Sequence, residues 1–378
     1  MASVDPASNP LTAIEKGFYI DPPGAISRQI VARQEIEPTA RQLVVGSIGS
    51  GKTTQLLIAR GELNKVPDVF ALYVDVSESL DLSKLRAGWL VAAASAALVE
   101  SDPTTDRMIR TRVSLWVGGY EPSPDAYEPG ESDWSPGILA RSTPWADIAQ
   151  FHIEDLQSLA QGYRTLGKHP VVLFDGLDRL GAALLERFSE VVEQDVAALH
   201  ACGIGVVLVG PIRSLEGFGK LEADQFDYQH EQAALDVRRD GADRAFFLEV
   251  LRQRADANLL PAEPLRILVE ASGGVLRDLM ALAKLAGEEA YLEGADSIEE
   301  LHARNAVYRF GKSLLIGLGP DEIETLRQVV SSGRLVEVSP SDVALIATRR
   351  VLVYRNGVAN YVVHPAIAAL LADVGGGR

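Results

Sequence analysis

Along the chain, short runs of consecutive apolar residues alternate with longer stretches in which apolar positions recur every three to four residues. RQLVV (41–45), VFALYVDV (69–76), VVLFD (171–175) and IGVVLVG (204–210) are apolar on successive positions and rich in β-branched and aromatic side chains. Strands buried on both faces read this way, whereas a half-exposed strand alternates. KTTQLLIARGEL follows the first run and WLVAAASAALV (89–99) the second; 145–166 precedes the third run, and Ala182 to about His200 precedes the fourth. This alternation predicts an α/β fold, a parallel sheet covered by helices on both faces. From about Asp240 to Arg309 the pattern is helical throughout, broken at Pro261, Pro264 and Gly273–Gly274. Over 320–372 come two helices (DEIETLRQVVSSG and SDVALIA), then strands VLVY and VANYVV flanking the turn pair Asn356-Gly357, then a helix from Pro365. That order is a winged-helix pattern. The expected organisation is a core over 1–238, an all-α lid over 239–315 and a small α+β winged-helix domain over 316–378.

One stretch interrupts the core. Between Ser101 and Pro144, Pro103, Pro122, Pro124, Pro129, Pro136 and Pro144 punctuate a segment carrying Trp116 and Trp134. It reads as an irregular insertion of about 101–144, either partner-facing or a surface excursion packing its own aromatics.

Composition narrows the partners more than the fold. The chain has 378 residues, 47% hydrophobic and 23% charged, which excludes wholesale disorder. Its formal net charge is −16, so non-specific phosphate-backbone binding would need a local basic patch rather than the whole surface. The single cysteine, Cys202, forms no intramolecular disulfide and no thiolate metal cluster, and the histidines lack metal-ligand spacing. The apolar stretch from Trp89 to Val99 is about half what a bilayer crossing needs. No secretory pattern opens the chain. The expectation is a cytoplasmic protein with no membrane partner.

The strongest chemical signal lies after the first apolar run. Gly46-Ser-Ile-Gly-Ser-Gly51-Lys52-Thr53 matches G-x-x-x-x-G-K-[ST] in full, between an expected strand and an expected helix. Gly46, Gly49 and Gly51 permit a loop whose backbone N–H groups, with that of Ser50, cradle a phosphate at the positive end of the following helix. Lys52 reaches the β- and γ-phosphates of ATP or ADP, Thr53 ligates Mg²⁺, and Thr54 completes the first helical turn on the nucleotide side. Asp175, closing VVLFD, fits the second Mg²⁺ carboxylate, with a helix N-cap as its alternative. Gly176 stands where many P-loop ATPases carry a water-polarising Glu. Asp178 in DGLDR is therefore the candidate base, or else a cap or solvated charge. ASGGVLRDL (271–279) lies after Asp175 rather than before it, which excludes an ABC signature. Pro67 after Asn64-Lys65 removes a guanine-specificity motif.

With these motifs the chain resembles the AAA+/STAND ATPases, particularly the NACHT-like and origin-recognition-like branches, over roughly residues 10–372. DGLDR resembles the NACHT form of the second motif. SGGVLRDLMALAKLA resembles the lid-helix motif whose arginine senses the γ-phosphate, which implies that role for Arg277; the alternative is a surface arginine. After IGVVLVG the family places a polar sensor, and Arg213 is the local candidate, displaced from the strand end. GFYIDPPGAISRQ (17–29) occupies the place of an adenine-contacting loop but lacks the family's Gly-Arg pair. YVVHPAIAALL resembles the NB-ARC-type end, which implies that His364 contacts the ADP phosphates; the alternative is a satisfied half-buried histidine before Pro365.

The resemblance implies an ATP-hydrolysing molecular switch, slow and regulatory, with ADP/ATP exchange driving domain reorientation and homo-oligomer or partner assembly. It further implies protein partners that supply the sensor or effector, and a setting such as a bacterial conflict or antiviral defence system. The alternative is a DNA-associated AAA+ loader or remodeller. Arg349, Arg350 and Arg355 make the wing locally basic, while SDVALIATRR offers few side chains able to read base edges.

Overall fold

The computed structural model describes residues 10–79, 82–102, 107–117, 120–122, 138–140, 145–181, 184–212, 225–335, 339–356 and 358–373. The chain divides into two compact units. One comprises Ser27–Val44 and Ile58–His230, the other Met1–Ile26, Val45–Leu57 and Glu231–Arg378.

The strands in chain order are β1 (Arg41–Gly46), β2 (Val69–Asp75), β3 (Tyr120–Pro122), β4 (Ile138–Ala140), β5 (His169–Asp175), β6 (Gly205–Val209) and β7 (Tyr228–Gln232). Five of them form one sheet in the order β2-β5-β6-β1-β7, and the β2–β5, β5–β6 and β1–β6 pairings are parallel. The four expected apolar runs are all strands of it; β5, β6 and β1 are central, and β2 lies at one edge. Leu43–Val45, Val171–Phe174 and Val206–Val209 are essentially inaccessible, and each such side chain contributes about 1.5–3 kcal/mol by leaving water. The register sets Asp75 beside Asp175, so two carboxylates end adjacent strands at the same level.

The fifth strand of the sheet, β7, was not expected, because YQHEQ carries no apolar run. It sits at the edge of the sheet, with alternating burial. Its inward His230 faces Gln42, Nε2 to Oε1 at 2.7 Å, and Gln42 in turn donates to Gln34 Oε1 at 2.6 Å. A polar strand is tolerated there because its buried groups are hydrogen-bonded.

The alanine-rich helix (Trp89–Ser101) is buried over most of its length. Small side chains let it lie close to its neighbours, and its N-terminus is capped from a distance. Asp195 accepts from the N–H groups of Gly88 at 2.6 Å and Leu90 at 2.7 Å. Burial pushes the Asp195 carboxyl up to about 7 even though these N–H groups pull it down. Asp195 lies in a π-helical segment (Val192–Val196), so the helix expected over 182–200 is interrupted, running as Leu185–Val191, Val192–Val196 and Ala197–Ala201. The expected irregular insertion also begins differently. Arg107–Val117 is helical, its Val113 is buried and its Arg112 pairs with Asp155; β3 and β4 then form a short antiparallel ladder. Residues 123–137 and 141–144 lie outside the described residues.

The other unit is largely helical. Helices Ala242–Arg252, Ala262–Ala271, Leu276–Glu293 and Glu300–Leu315 enclose one core containing Phe247, Leu268, Leu279, Leu282, Ala286 and Ala306. Helices Pro320–Ser332 and Pro340–Ala347 follow, then a hairpin of β8 (Val351–Asn356) and β9 (Val358–Val363), then helix Pro365–Asp373. The hairpin register runs from Val351↔Val363 to Asn356↔Val358; Gly357 of the expected turn lies outside the described residues. Tyr354 fastens it: Oη donates to the Gly273 carbonyl at 2.8 Å, and the Arg238 guanidinium lies over the ring at 4.3 Å. Asp342, which the sequence places on a would-be recognition helix, closes a capping box with Ser339. No helix among the described residues is long and apolar enough to cross a membrane.

Candidate functional site

Each glycine of the phosphate-loop motif is required by its surroundings. Gly49 and Gly51 have φ of 85° and 100°, a region that side-chain-bearing residues rarely enter. A Cβ on Gly46 would lie 2.5 Å from the Gln232 carbonyl oxygen, and one on Gly49 would lie 2.7 Å from the Arg277 Cβ. Helix Lys52–Leu63 starts on the motif lysine, so its unpaired N-terminal N–H groups and the positive end of its dipole are at the loop.

The loop suits an anion. Lys52 is only 4% exposed, and its ammonium donates to the carbonyls of Gly46 at 3.0 Å and Ser47 at 2.9 Å. Ser47 Oγ and Ser50 Oγ are buried without a hydrogen-bond partner. Leaving such hydroxyls unsatisfied costs about 1–3 kcal/mol each, so a ligand that accepts from them and from a buried ammonium is favoured. Thr53 and Thr54 are half-buried on the first helical turn. Gln55, on the same helix, donates to Tyr19 Oη at 3.2 Å, and Tyr19 donates to Asp21 at 2.6 Å. This puts part of the 17–29 segment beside the phosphate-loop helix.

The C-terminal helices reach the same loop. Gly273 and Gly274 have φ of 59° and 76°, and a Cβ on Gly274 would sit 1.7 Å from the Leu235 carbonyl oxygen. The turn they make starts helix Leu276–Glu293 against the phosphate loop, where the Arg277 N–H donates to the Gly49 carbonyl at 3.4 Å. Arg277 itself is exposed. Its neighbour Asp278 is 1% exposed and receives Arg349 Nε at 2.9 Å. Arg349 Nη1 also donates to the Ile48 carbonyl at 3.3 Å. His364 is wholly buried. Its Nδ1 accepts from the Ala366 N–H at 3.2 Å, and its Nε2 lies 3.4 Å from Asp278 Oδ2, within ion-pair range but without a formed hydrogen bond.

This arrangement corrects one expectation. Arg349 and Arg350 do not form a basic wing surface. Arg349 is committed to Asp278 and Ile48, and Arg350 donates to the carbonyls of Leu314 at 2.7 Å and Ile316 at 2.9 Å. Helix ends leave carbonyls without partners, and long cationic side chains satisfy them.

Asp175 and Asp178 lie in the other unit. Asp175 closes β5 and is 3% exposed; its Oδ2 accepts from Tyr73 Oη at 3.0 Å and its Oδ1 from the Gly176 N–H at 2.7 Å. Burial and the neighbouring Asp175, Asp75 and Glu78 raise the Tyr73 pKa far above the ordinary phenol value, so Tyr73 remains a donor. Gly176 has φ of 91°, and a Cβ there would lie 2.6 Å from Asp75 Oδ1 and 2.9 Å from Ser77 Oγ. Any side chain at this position would have to displace Asp75 or Ser77. Asp178 follows in a 3-10 turn, Leu177–Arg179. Arg213 lies outside the described residues. The sequence alone did not single out Tyr73, Asp75 or Asp278, and it placed Arg349 on a basic wing. The first two carried a faint signal in the matched ends of two apolar runs, and Asp278 lay next to a chosen arginine.

No family model matches the chain, and no curated protein does. Among solved structures, the Aeropyrum pernix ORC2 protein in its ADPNP–ADP complexes is 15% identical, with a TM-score of 0.52 and 94% of each chain covered. Cdc6p from Pyrobaculum aerophilum is 14% identical at a TM-score of 0.46, covering 98% of this chain and 96% of that one. A Drosophila ORC structure bound to DNA is 14% identical at 0.47, covering 98% and 92%. With its parallel sheet, phosphate loop and following helical units, this chain has the fold of the AAA+ P-loop ATPases.

Proposed function

We propose that the protein is a nucleotide-dependent switch of the AAA+/STAND kind, which binds ATP and ADP and hydrolyses ATP slowly. The observation that carries this reading is the convergence on the phosphate loop: a buried Lys52, two orphaned serine hydroxyls, and residues of the C-terminal helices touching Ile48 and Gly49. A loop held by segments some 230 and 300 residues further on can report its occupancy to them. The ORC2 structure with ADPNP and ADP supports nucleotide as the ligand.

In this reading the loop N–H groups, Ser50 and Lys52 bind the β- and γ-phosphates, and Thr53 and Asp175 hold Mg²⁺. When bound, Mg²⁺ would neutralise phosphate charge. Asp178 takes the proton of the attacking water, a role Gly176 leaves vacant. Arg277, at the start of its helix, responds to the γ-phosphate, with Arg213 as a second sensor, and His364 acts on the ADP state through Asp278. Partner proteins provide the sensor or effector, a self-assembled oligomer is the active form, and a bacterial conflict system is a fitting setting. The domain limits at about 238 and 315 belong to the same proposal.

The test is binding of fluorescent ADP and ATP, with turnover measured in the presence and absence of duplex DNA. Micromolar binding that Lys52→Ala abolishes, with slow turnover indifferent to DNA, is the expected outcome. Unchanged affinity in Lys52→Ala removes the phosphate-loop assignment. Strong stimulation by DNA replaces the switch with a DNA-associated ATPase.

A further inference from the structure

Asp278 is the most deeply buried carboxylate among the groups that surround the phosphate loop, at 1% exposure. A buried carboxylate needs compensation, and it comes from outside its own helix. Arg349 arrives from the turn after helix Pro340–Ala347, and His364 from the start of helix Pro365–Asp373. Arg349 adopts φ of 64°, and no other non-glycine residue among the described residues has a positive φ. The chain accepts that backbone where it aims the guanidinium at two acceptors together, Asp278 Oδ2 at 2.9 Å and the Ile48 carbonyl at 3.3 Å. A planar guanidinium can serve both, whereas a lysine ammonium at the end of a flexible stem holds such a geometry poorly.

Both acceptors bear on the loop. Ile48 lies within the phosphate motif, and the residue before Asp278 donates its N–H to the Gly49 carbonyl. A Cβ on Gly49 would lie 2.7 Å from the Arg277 Cβ, so the loop and the start of this helix pack closely there. Arg349 therefore grips the loop at Ile48 directly and at Gly49 through Asp278.

We propose that Arg349 and Asp278 are positioning residues of the nucleotide site, holding residues 48–49 of the phosphate loop in the shape that receives a diphosphate. The proposal rests on the nucleotide reading above and deepens it. It assigns the control of ADP release to a side chain of the C-terminal α+β unit that acts through the loop backbone, without contact between that side chain and the nucleotide.

The experiment separates holding the loop from holding the fold. Removing one partner, as in Arg349→Met or Asp278→Asn, leaves a buried charge or acceptor unmatched and should lower the melting temperature by at least about 5 °C. Removing both, in Asp278→Leu with Arg349→Met, replaces the pair with apolar groups and should return the melting temperature to near wild type. Arg349→Lys keeps the charge opposite Asp278 but should lose Ile48. In the double variant and in Arg349→Lys, amide hydrogen exchange at 47–51 in the nucleotide-free protein should accelerate roughly tenfold, and so should ADP dissociation. A structural role alone would restore both along with the melting temperature. Wild-type loop exchange in Arg349→Lys and in the double variant would overturn the proposal. If the wild-type protein fails to bind ADP, the nucleotide reading falls, while the exchange comparison still decides whether Arg349 holds the loop.

Discussion

Gly176 is where a single methyl group should reveal how the strand ends are organised. Its φ of 91° carries a penalty for any L side chain of about 1–2 kcal/mol. A Cβ would also approach Asp75 Oδ1 to 2.6 Å and Ser77 Oγ to 2.9 Å. These are not loose side-chain ends. Asp75 Oδ1 accepts from the Ser77 N–H at 2.9 Å and from its hydroxyl at 2.5 Å, so relieving the clash breaks a turn. Overpacking of this kind adds about 1–3 kcal/mol, and the reduced freedom of the unfolded chain returns about 0.4–1 kcal/mol. Gly176→Ala should therefore destabilise by roughly 2–4 kcal/mol, measured by urea denaturation of the purified protein. Because the Gly176 N–H also donates to Asp175, Mg²⁺-dependent turnover should fall more than nucleotide affinity. A double-mutant cycle with Asp75→Ala isolates the steric part. The double variant should be more stable than the sum of the singles predicts by about 1 kcal/mol or more. A cost below about 0.5 kcal/mol for Gly176→Ala, or strict additivity in the cycle, would refute the crowded strand end.

Three further outcomes follow from particular contacts. Asp175→Asn should keep most of the nucleotide affinity and lose Mg²⁺-dependent hydrolysis; wild-type turnover would remove Asp175 from the site. Tyr354→Phe leaves the buried Gly273 carbonyl without its donor and should cost about 1–3 kcal/mol in denaturant unfolding, against no change if the hairpin is held by apolar packing alone. Asp195 sets a pH dependence. Its carboxyl is raised to about 7, so between the ordinary carboxylate value and about 7 the folded protein holds a proton that the unfolded chain has released, and stability falls as pH rises through that window. His230, whose pKa burial lowers, opposes this below its ordinary value of 6.5. The difference between wild type and Asp195→Asn isolates Asp195. The wild-type advantage should shrink by about 2–3 kcal/mol from pH 5 to pH 8. An advantage that is constant or grows with pH contradicts a carboxylate whose burial outweighs its backbone donors.

What the sequence determined by itself was whatever depends on neighbours along the chain. The four continuous apolar runs are strands of one sheet, and the three central ones, β1, β5 and β6, are apolar throughout because a strand covered on both faces has no polar position to spare. The phosphate loop is legible because glycine spacing, a lysine and a helix start all fall within eight residues. VLVY and VANYVV were legible as a hairpin because two short apolar runs lie only a few residues apart, and they pair as β8 and β9.

What only the tertiary structure decided involves partners far apart in the sequence. YQHEQ becomes a strand because an edge was open and Gln42 could satisfy His230, 188 positions away. The position after Asp175 must be glycine because parallel register brings Asp75 and Ser77 against it. Arg349 reads in the sequence as one of a basic cluster suited to phosphates. In the folded protein it is the half-buried ion-pair partner of the buried Asp278, 71 residues before it, and donates to Ile48. A charge looks the same in sequence whether it meets solvent or a buried carboxylate. Desolvation separates the two cases, and desolvation is a property of the packed fold.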